Sequence, residues 1–341
     1  MRAASLEAAG PREGLATSPM ADFVQIIATP GSGDGRARAT ARRLKKALVR
    51  RGYDARLLTF TSLDRLLEWS ATCAPTFSHL VGVGGDATLS AVAEAAVRLS
   101  VPFVPVPTGF GNMFAQTFGF VNQTRRVIEV FERGQIRHVD VGTINGDHVF
   151  LSHRSYGLLE DVQQAVEQGR AQPRSRLLRL LAYYVAGGRF LFTAPLRAIR
   201  VEVDGALLVE NAALVTVANV ETYRGYLSLT PCASPLDGLF DVFAIPGTTR
   251  LGVWTRLFKL LFRMPGRWKG VVFRRGQHVR VTVDGVVSEE LALRRRALPL
   301  LVLPESLEML SASRAEVDAA STPSGGPGCA TPAVSEPRDA A

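Results

Sequence analysis

Three glycine-rich segments and one carboxylate carry most of the chemistry that can be read in this chain. The segments are Pro30-Gly31-Ser32-Gly33-Asp34-Gly35, Gly84-Gly85-Asp86-Ala87-Thr88 and Pro107-Thr108-Gly109-Phe110-Gly111-Asn112. Each follows an apolar run and precedes a helical pattern. Glycine lets backbone N–H groups come close to phosphate oxygens, and a helix N-terminus adds a dipole that favours an anion. One such turn says little, because tight strand-to-helix connections use glycine for structural reasons alone. Three on one sheet edge point to a phosphate site. Asp86 is the unusual member, since a carboxylate among phosphate-cradling amides repels bare phosphate. It fits if it binds magnesium or deprotonates an acceptor hydroxyl. Its structural alternative is an Asx-turn or a helix N-cap.

Two familiar phosphate-binding classes are excluded. Gly82-Val83-Gly84-Gly85-Asp86-Ala87 satisfies the dinucleotide pattern G-x-G-x-x-A, but that use needs an acid about 20 residues on to hold a ribose. No carboxylate occurs between Glu94 and Glu129. There is no G-x-x-x-x-G-K-[ST], and no lysine lies between Lys46 and Lys259.

The elements that must position these turns alternate in the first half. Strands are expected at Phe23–Ala28, Ala55–Phe60, His79–Val83 and Val101–Val106. Helices are expected up to Arg51, at Leu63–Trp69, at Leu89–Leu99 and from about Met113. Strand–helix alternation of this kind gives a parallel sheet with right-handed crossovers, with all three turns at its carboxyl edge. After Arg137 the pattern becomes strand-like at Val139–Val141, His148–Leu151, Ala198–Val203, Ala213–Ala218, Leu239–Ala244, Val279–Val283 and Leu300–Leu303. Asn-Gly-Asp, Asp-Gly and Pro-Gly separate these strands, which predicts mainly antiparallel structure. The expected division is a disordered leader over 1–21, an α/β domain over 22–142, a β domain over 143–310 and a disordered tail over 311–341.

Composition narrows the class further. The chain has 341 residues, 47% of them hydrophobic, enough to bury a core in two domains. Its three cysteines, Cys73, Cys232 and Cys329, are odd in number and far apart, which argues for a reducing compartment over a disulfide scaffold. The histidines show no metal-ligand spacing with cysteine. No run reaches 18 uncharged apolar residues, so no membrane-spanning helix is expected. The net charge of +9 is concentrated: seven arginines and no acid lie between Glu167 and Glu202, and nine basic residues and no acid between Asp241 and Asp284. Aromatic and aliphatic residues interleave them, which suits an anionic membrane face or a nucleic acid. Leu251, Trp254, Leu257, Phe258, Leu261 and Phe262 recur at helical spacing, as a core-facing stripe or as a membrane-facing one.

From Gly84 to Leu89 the sequence resembles the diacylglycerol kinase catalytic-domain family, which includes bacterial lipid kinases and sphingosine and ceramide kinases and is related to NAD kinases. Thr29–Gly35 resembles that family's N-P-x-S-G-x-G turn, and Pro107–Ala115 its P-x-G-T-G-N-D-x-A. Val139–Gly142 resembles the strand that enters the second domain. Asn219, Pro231 and Asp237-Gly238-Leu239-Phe240-Asp241 resemble N…P-x-A-x-x-x-D-G-x-x-D. The likeness spans residues 22–310 in order. It implies a Rossmann-like α/β ATP-binding domain, an antiparallel β-sandwich lipid-substrate domain, and ATP and Mg²⁺ as cofactors. Gly31, Ser32, Gly33, Thr61, Gly84, Gly85, Asp86, Ala87, Thr88, Leu89, Ser90, Gly109, Gly111 and Asn112 would bind ATP. Asp86, Asp140 and Asp284 would be the catalytic acids, and Asp237 with the Leu239 carbonyl would hold a structural magnesium. The implied partners are a membrane lipid substrate and, transiently, an anionic membrane surface, with no nucleic acid. The implied location is cytoplasmic and peripherally membrane-associated, and a homodimer is left open.

The chain departs from the family pattern at four positions. Ala87 replaces the glycine of G-G-D-G-T, Phe110 a hydroxyl residue and Met113 the acid of G-N-D. Asp284-Gly285-Val286 replaces D-G-E, whose glutamate is the family's general base in bacterial members. Valine cannot take a proton. Three readings follow: a lipid kinase with Asp86 as base, a non-catalytic nucleotide- or lipid-binding homologue, and a kinase of a soluble substrate akin to NAD kinase.

Overall fold

A computed structural model describes residues 23–29, 36–109, 111–158, 197–221, 229–247, 249–261, 264 and 269–320. In chain order the elements are β1 (Phe23–Ala28), α1 (Ala37–Arg50), β2 (Asp54–Thr59), α2 (Leu63–Thr72), β3 (His79–Gly84), α3 (Asp86–Leu99), β4 (Phe103–Pro107), α4 (Met113–Thr117), α5 (Thr124–Arg133) and β5 (Gln135–Ile144). The second half adds β6 (His148–Phe150), β7 (His153–Gly157), β8 (Ile199–Val203), β9 (Ala206–Ala218), β10 (Phe240–Pro246), α6 (Arg250–Leu261), β11 (Val272–Gly276), β12 (His278–Val283), β13 (Val286–Val302) and α7 (Pro304–Ala320).

Strands β2, β1, β3 and β4 lie side by side in that order and run parallel. Every residue of β1, β4 and, after His79, β3 is buried, as expected where helices cover both faces of a parallel sheet. Helix α1 turns Ala37, Thr40, Ala41, Leu44 and Leu48 inward at helical spacing, and its arginines and lysines outward. Helix α3 is buried on most of its circumference because α2 and β6 pack on it as well as β3 and β4. Its alanines at 91, 93, 95 and 96 keep it slim enough to fit. Glu94 fastens the contact with β6: its carboxylate accepts the Val149 N–H at 3.0 Å and pairs with Arg98 at 3.2 Å.

The second half is antiparallel. β9 is the long central strand, pairing with β8 along its first part and with β7 and β10 along its second. Alternation along β10 serves two layers. Val242 and Ala244 join the core formed with Phe150, Tyr156, Val201, Val217 and Val281, while Phe243 and Ile245 face α6 through Val253 and Leu260. β13 links the halves, pairing with β12 near its start, with β5 over most of its length and in parallel with β4 at Leu300. Leu298–Leu303 therefore lie in the core of the α/β layer, so the C-terminal part of the 143–310 segment returns to the first domain. Helix α7 continues to Ala320, past the expected start of the tail at 311; residues 1–22 and 321–341 lie outside the described residues. Among the described residues no helix is long and apolar enough to cross a membrane. Cys73 is a free thiol, and Cys232 stands in a disulfide.

Candidate functional site

The chain leaves β1 towards β2 on one side, while β3 and β4 lie on the other. This makes a topological switch point between the carboxyl ends of β1 and β3, where open α/β sheets take their ligands. Two glycine turns meet there. The Gly84 carbonyl accepts the Thr108 N–H at 2.8 Å. A Cβ on Gly109 would lie 2.9 Å from the Gly85 Cα, and one on Gly111 2.8 Å from Asp86 Oδ2. Glycine at 109 lets the turns touch backbone to backbone, and glycine at 111 leaves room for the Asp86 carboxylate. Thr29, which follows β1, joins them through its hydroxyl, 2.7 Å from that of Thr88, with both groups buried.

Asp86 is the first residue of α3, after Gly85 at the N-cap. Its Oδ2 accepts the Asn112 N–H at 2.6 Å, and the carboxylate also takes the Met113 N–H. It thus caps the short helix α4, so the structural alternative holds in a form the sequence did not show. Burial pushes its carboxyl above the ordinary range, and the amides only partly offset this. Asn112 is left-handed (φ 48°), and its Nδ2 donates to the Gly109 carbonyl at 2.6 Å. Thr108 Oγ1 and Asn112 Oδ1 are buried beside this junction with no hydrogen-bond partner. Such atoms cost about 1–3 kcal/mol each unless something pairs with them. Thr29 and Thr108 are site residues that the sequence reading missed, although their position flanking the glycine turns could have marked them.

The remaining members of the expected ATP set fall in different places. Ala87 lies exposed in the first turn of α3 with no positive φ, so the backbone accommodates alanine there. Leu89 is a core residue whose N–H bonds to the Gly85 carbonyl, which leaves neither its side chain nor its amide for a ligand. Ser90 is half-buried one residue further on. Thr61 is exposed beyond β2, at the same sheet edge. Gly31, Ser32, Gly33 and Phe110 lie outside the described residues.

Among the described residues, no hydrogen bond joins Asp140 or Asp284 to the Asp86 junction. Asp140 is 2% exposed, and both its carboxylate oxygens accept backbone amides, from Gly238 at 2.8 Å and from Arg296 at 2.7 Å. Asn219, also buried, donates to the Asp140 carbonyl at 2.9 Å. This cluster ties β5 to the Gly238 turn and to β13. Asp284 and Gly285 are the two left-handed residues (φ 50° and 82°) of the β12–β13 hairpin turn, and the Asp284 carboxylate accepts the Ala198 N–H at 3.0 Å. Val286, just beyond, is 71% exposed. The acids that follow it are committed elsewhere. Glu289 is held by Arg154 and by the Tyr156 hydroxyl at 2.6 Å, and Glu290 by Arg280 at 2.8 Å.

The expected structural magnesium at Asp237 and Leu239 does not fit the residues present. The Arg275 guanidinium bonds to the Asp237 carboxylate and, through Nε at 2.7 Å, to Asp241. The other Asp237 oxygen accepts the Leu239 N–H at 3.1 Å. Among the described residues, no group of three or more His, Cys, Asp or Glu side chains is arranged to hold a metal.

The family model described as diacylglycerol kinase catalytic domain matches residues 24–144, and the YegS C-terminal NAD kinase beta sandwich-like domain matches residues 155–310. A diacylglycerol kinase of Bacillus subtilis is 27% identical over 172 residues, covering 50% of this chain but only 55% of that protein. A diacylglycerol kinase of Staphylococcus aureus is 26% identical over 230 residues, covering 65% of this chain and 70% of that one. A crystal structure of a putative diacylglycerol kinase from Bacillus anthracis superposes with a TM-score of 0.62 at 19% identity, covering 83% of this chain and 98% of the other. That likeness is one of fold.

Proposed function

The chain belongs to the diacylglycerol kinase catalytic-domain family, and from that premise we propose that it transfers the γ-phosphoryl group of ATP to a hydroxyl of a membrane lipid of the diacylglycerol or sphingoid class. One observation carries the reading: a half-buried carboxylate with a raised pKa, Asp86, stands where two glycine turns meet at the sheet's switch point. In this mechanism the open amides of the first turn of α3 and those of Gly109 and Gly111 hold the phosphates. Thr108 Oγ1 can donate to a phosphate oxygen, and Asn112 Oδ1 can accept from a nucleotide hydroxyl. Asp86 takes the proton of the acceptor hydroxyl as the new P–O bond forms and the bond to the β-phosphate breaks, releasing ADP. Magnesium carried by the nucleotide would neutralise charge on the transferring group, and Asp86 is the carboxylate this chain offers there. The test is phosphate transfer from labelled ATP to vesicles containing diacylglycerol, a sphingoid base, ceramide or phosphatidylglycerol. Transfer to one of them is expected. Nucleotide binding without transfer to any would favour the second reading, a non-catalytic homologue, for which exposed Val286 and the committed Glu289 speak.

An anionic membrane surface is the partner this reading requires, and α6 is the element suited to meet it. Val253 and Leu260, which are not in the expected apolar stripe, point into the protein; of the stripe, Leu257 packs against them. Leu251 (76% exposed) and Phe258 (44%) face outward, lining with Trp254, Arg250 and Lys259 a groove of about 550 Å³. Apolar groups flanked by cations suit an interfacial helix. Cosedimentation with anionic vesicles should exceed that with neutral ones and weaken with salt, because surface charge is screened within about 10 Å at 0.1 M. Phe258→Glu should weaken it further; equal partitioning onto both vesicle types would count against this surface.

A further inference from the structure

We propose that Arg275 is a built-in cation that takes the place of a divalent metal ion in the Asp237–Asp241 turn, so that this part of the fold forms without metal. The turn brings two carboxylates together in a buried place. Asp237 and Asp241 have side chains only 11% and 7% exposed, and a charge so far from water needs an opposite charge or a metal. Arg275 meets that need from the neighbouring strand. It lies directly across from Asp241 in the β10–β11 ladder, and its side chain is 8% exposed. From there the planar guanidinium reaches both acids at once, a geometry that a lysine ammonium could not reproduce.

The site that the cation closes is a junction. Gly238, left-handed at φ 76°, donates its N–H to Asp140, and its carbonyl accepts Gln277 Nε2 at 3.2 Å. The Asp140 N–H in turn donates to the Pro235 carbonyl at 2.8 Å. Arg275 therefore sets the turn that β5 and β13 lean on. A covalently attached cation cannot dissociate, so the junction keeps its shape when divalent ions are scarce or chelated. This inference concerns the fold and stands apart from the proposed phosphoryl transfer.

The experiment uses the full chain without nucleotide. Its thermal midpoint is measured in EDTA, in millimolar magnesium or manganese chloride, and in sodium chloride of equal ionic strength. The wild type should melt at one temperature in all of them. Arg275→Ala removes the cation and opens a space bounded by two carboxylates. Its midpoint in EDTA should fall by on the order of 10 °C, as expected when one partner of a buried charge cluster is lost. Magnesium or manganese should raise that midpoint again, and sodium chloride should not. Titration with Mn²⁺ followed by its electron spin resonance should show one more bound ion per variant chain than per wild-type chain. A wild-type midpoint that falls in EDTA overturns the proposal, as does an Arg275→Ala protein that gains neither stability from the divalent ion nor an extra bound Mn²⁺. Should Arg275→Ala fail to fold, the wild-type comparison decides alone: an unchanged midpoint in EDTA supports the built-in cation, a lowered one refutes it.

Discussion

Asp86→Asn is expected to lower turnover on the lipid acceptor by roughly 10²–10⁴-fold, the usual contribution of a positioned proton acceptor, while leaving the protein folded. The substitution keeps an oxygen that can accept the Asn112 N–H, so the cap on α4 survives. What disappears is the charge and the capacity to take a proton. The stability effect has a definite sign. Burial raises the native pKa of Asp86 above its unfolded value, so ionisation works against the fold. The stabilising protonated form is fully present below the unfolded pKa and is lost as pH rises through the native one. At neutral pH a permanently neutral amide should therefore leave the thermal midpoint unchanged or raise it. Paired measurement of kcat and of the midpoint at pH 7 separates the possibilities. Lower turnover at an equal or higher midpoint is the signature of a carboxylate held in a costly state for chemistry. Wild-type turnover in Asp86→Asn would place the base elsewhere.

The α/β half was legible because its signals are local. Phe23–Ala28 is a largely apolar run, and the glycine turns follow such runs, so a parallel sheet and its ligand edge followed from general rules. The antiparallel half was less so. β7 reads His-Arg-Ser-Tyr-Gly and β11 Val-Phe-Arg-Arg-Gly, and neither shows apolar alternation, because Arg154 and Arg275 turn inward to meet acids. An inward arginine is unreadable until its partner strand is known. β13 hid for a related reason: only Leu300–Leu303 is a clear apolar run, and the charged stretch before it pairs with β12 and β5. The helix through Ala320 is hard to read because its Ser- and Ala-rich composition resembles that of an unstructured tail. At the site, resemblance gave the letters of the motifs but not the direction of each carboxylate. All three carboxylates turn oxygens to backbone amides, but of the three Asp86 alone does so between the glycine turns.

Asp140→Ala is expected to destabilise the protein by about 3–5 kcal/mol, the largest effect of any single carboxylate outside the Arg275 cluster. Two backbone amides, of Gly238 and Arg296, would lose their acceptor in a place water does not reach, and each unsatisfied group costs about 1–3 kcal/mol. A small cavity adds to this. In a chain of this size the midpoint should fall by on the order of 10 °C. Asp140→Asn is the sharper variant. One of its side-chain atoms can still accept an amide, but the other becomes an NH₂ facing a second N–H donor, so it too should melt early. If Asp140 instead served chiefly to hold magnesium near the transferring phosphate, Asp140→Asn would lower turnover with the midpoint nearly unchanged. The two roles thus predict opposite patterns in the same pair of measurements, and the two short amide bonds to its carboxylate favour the loss of stability.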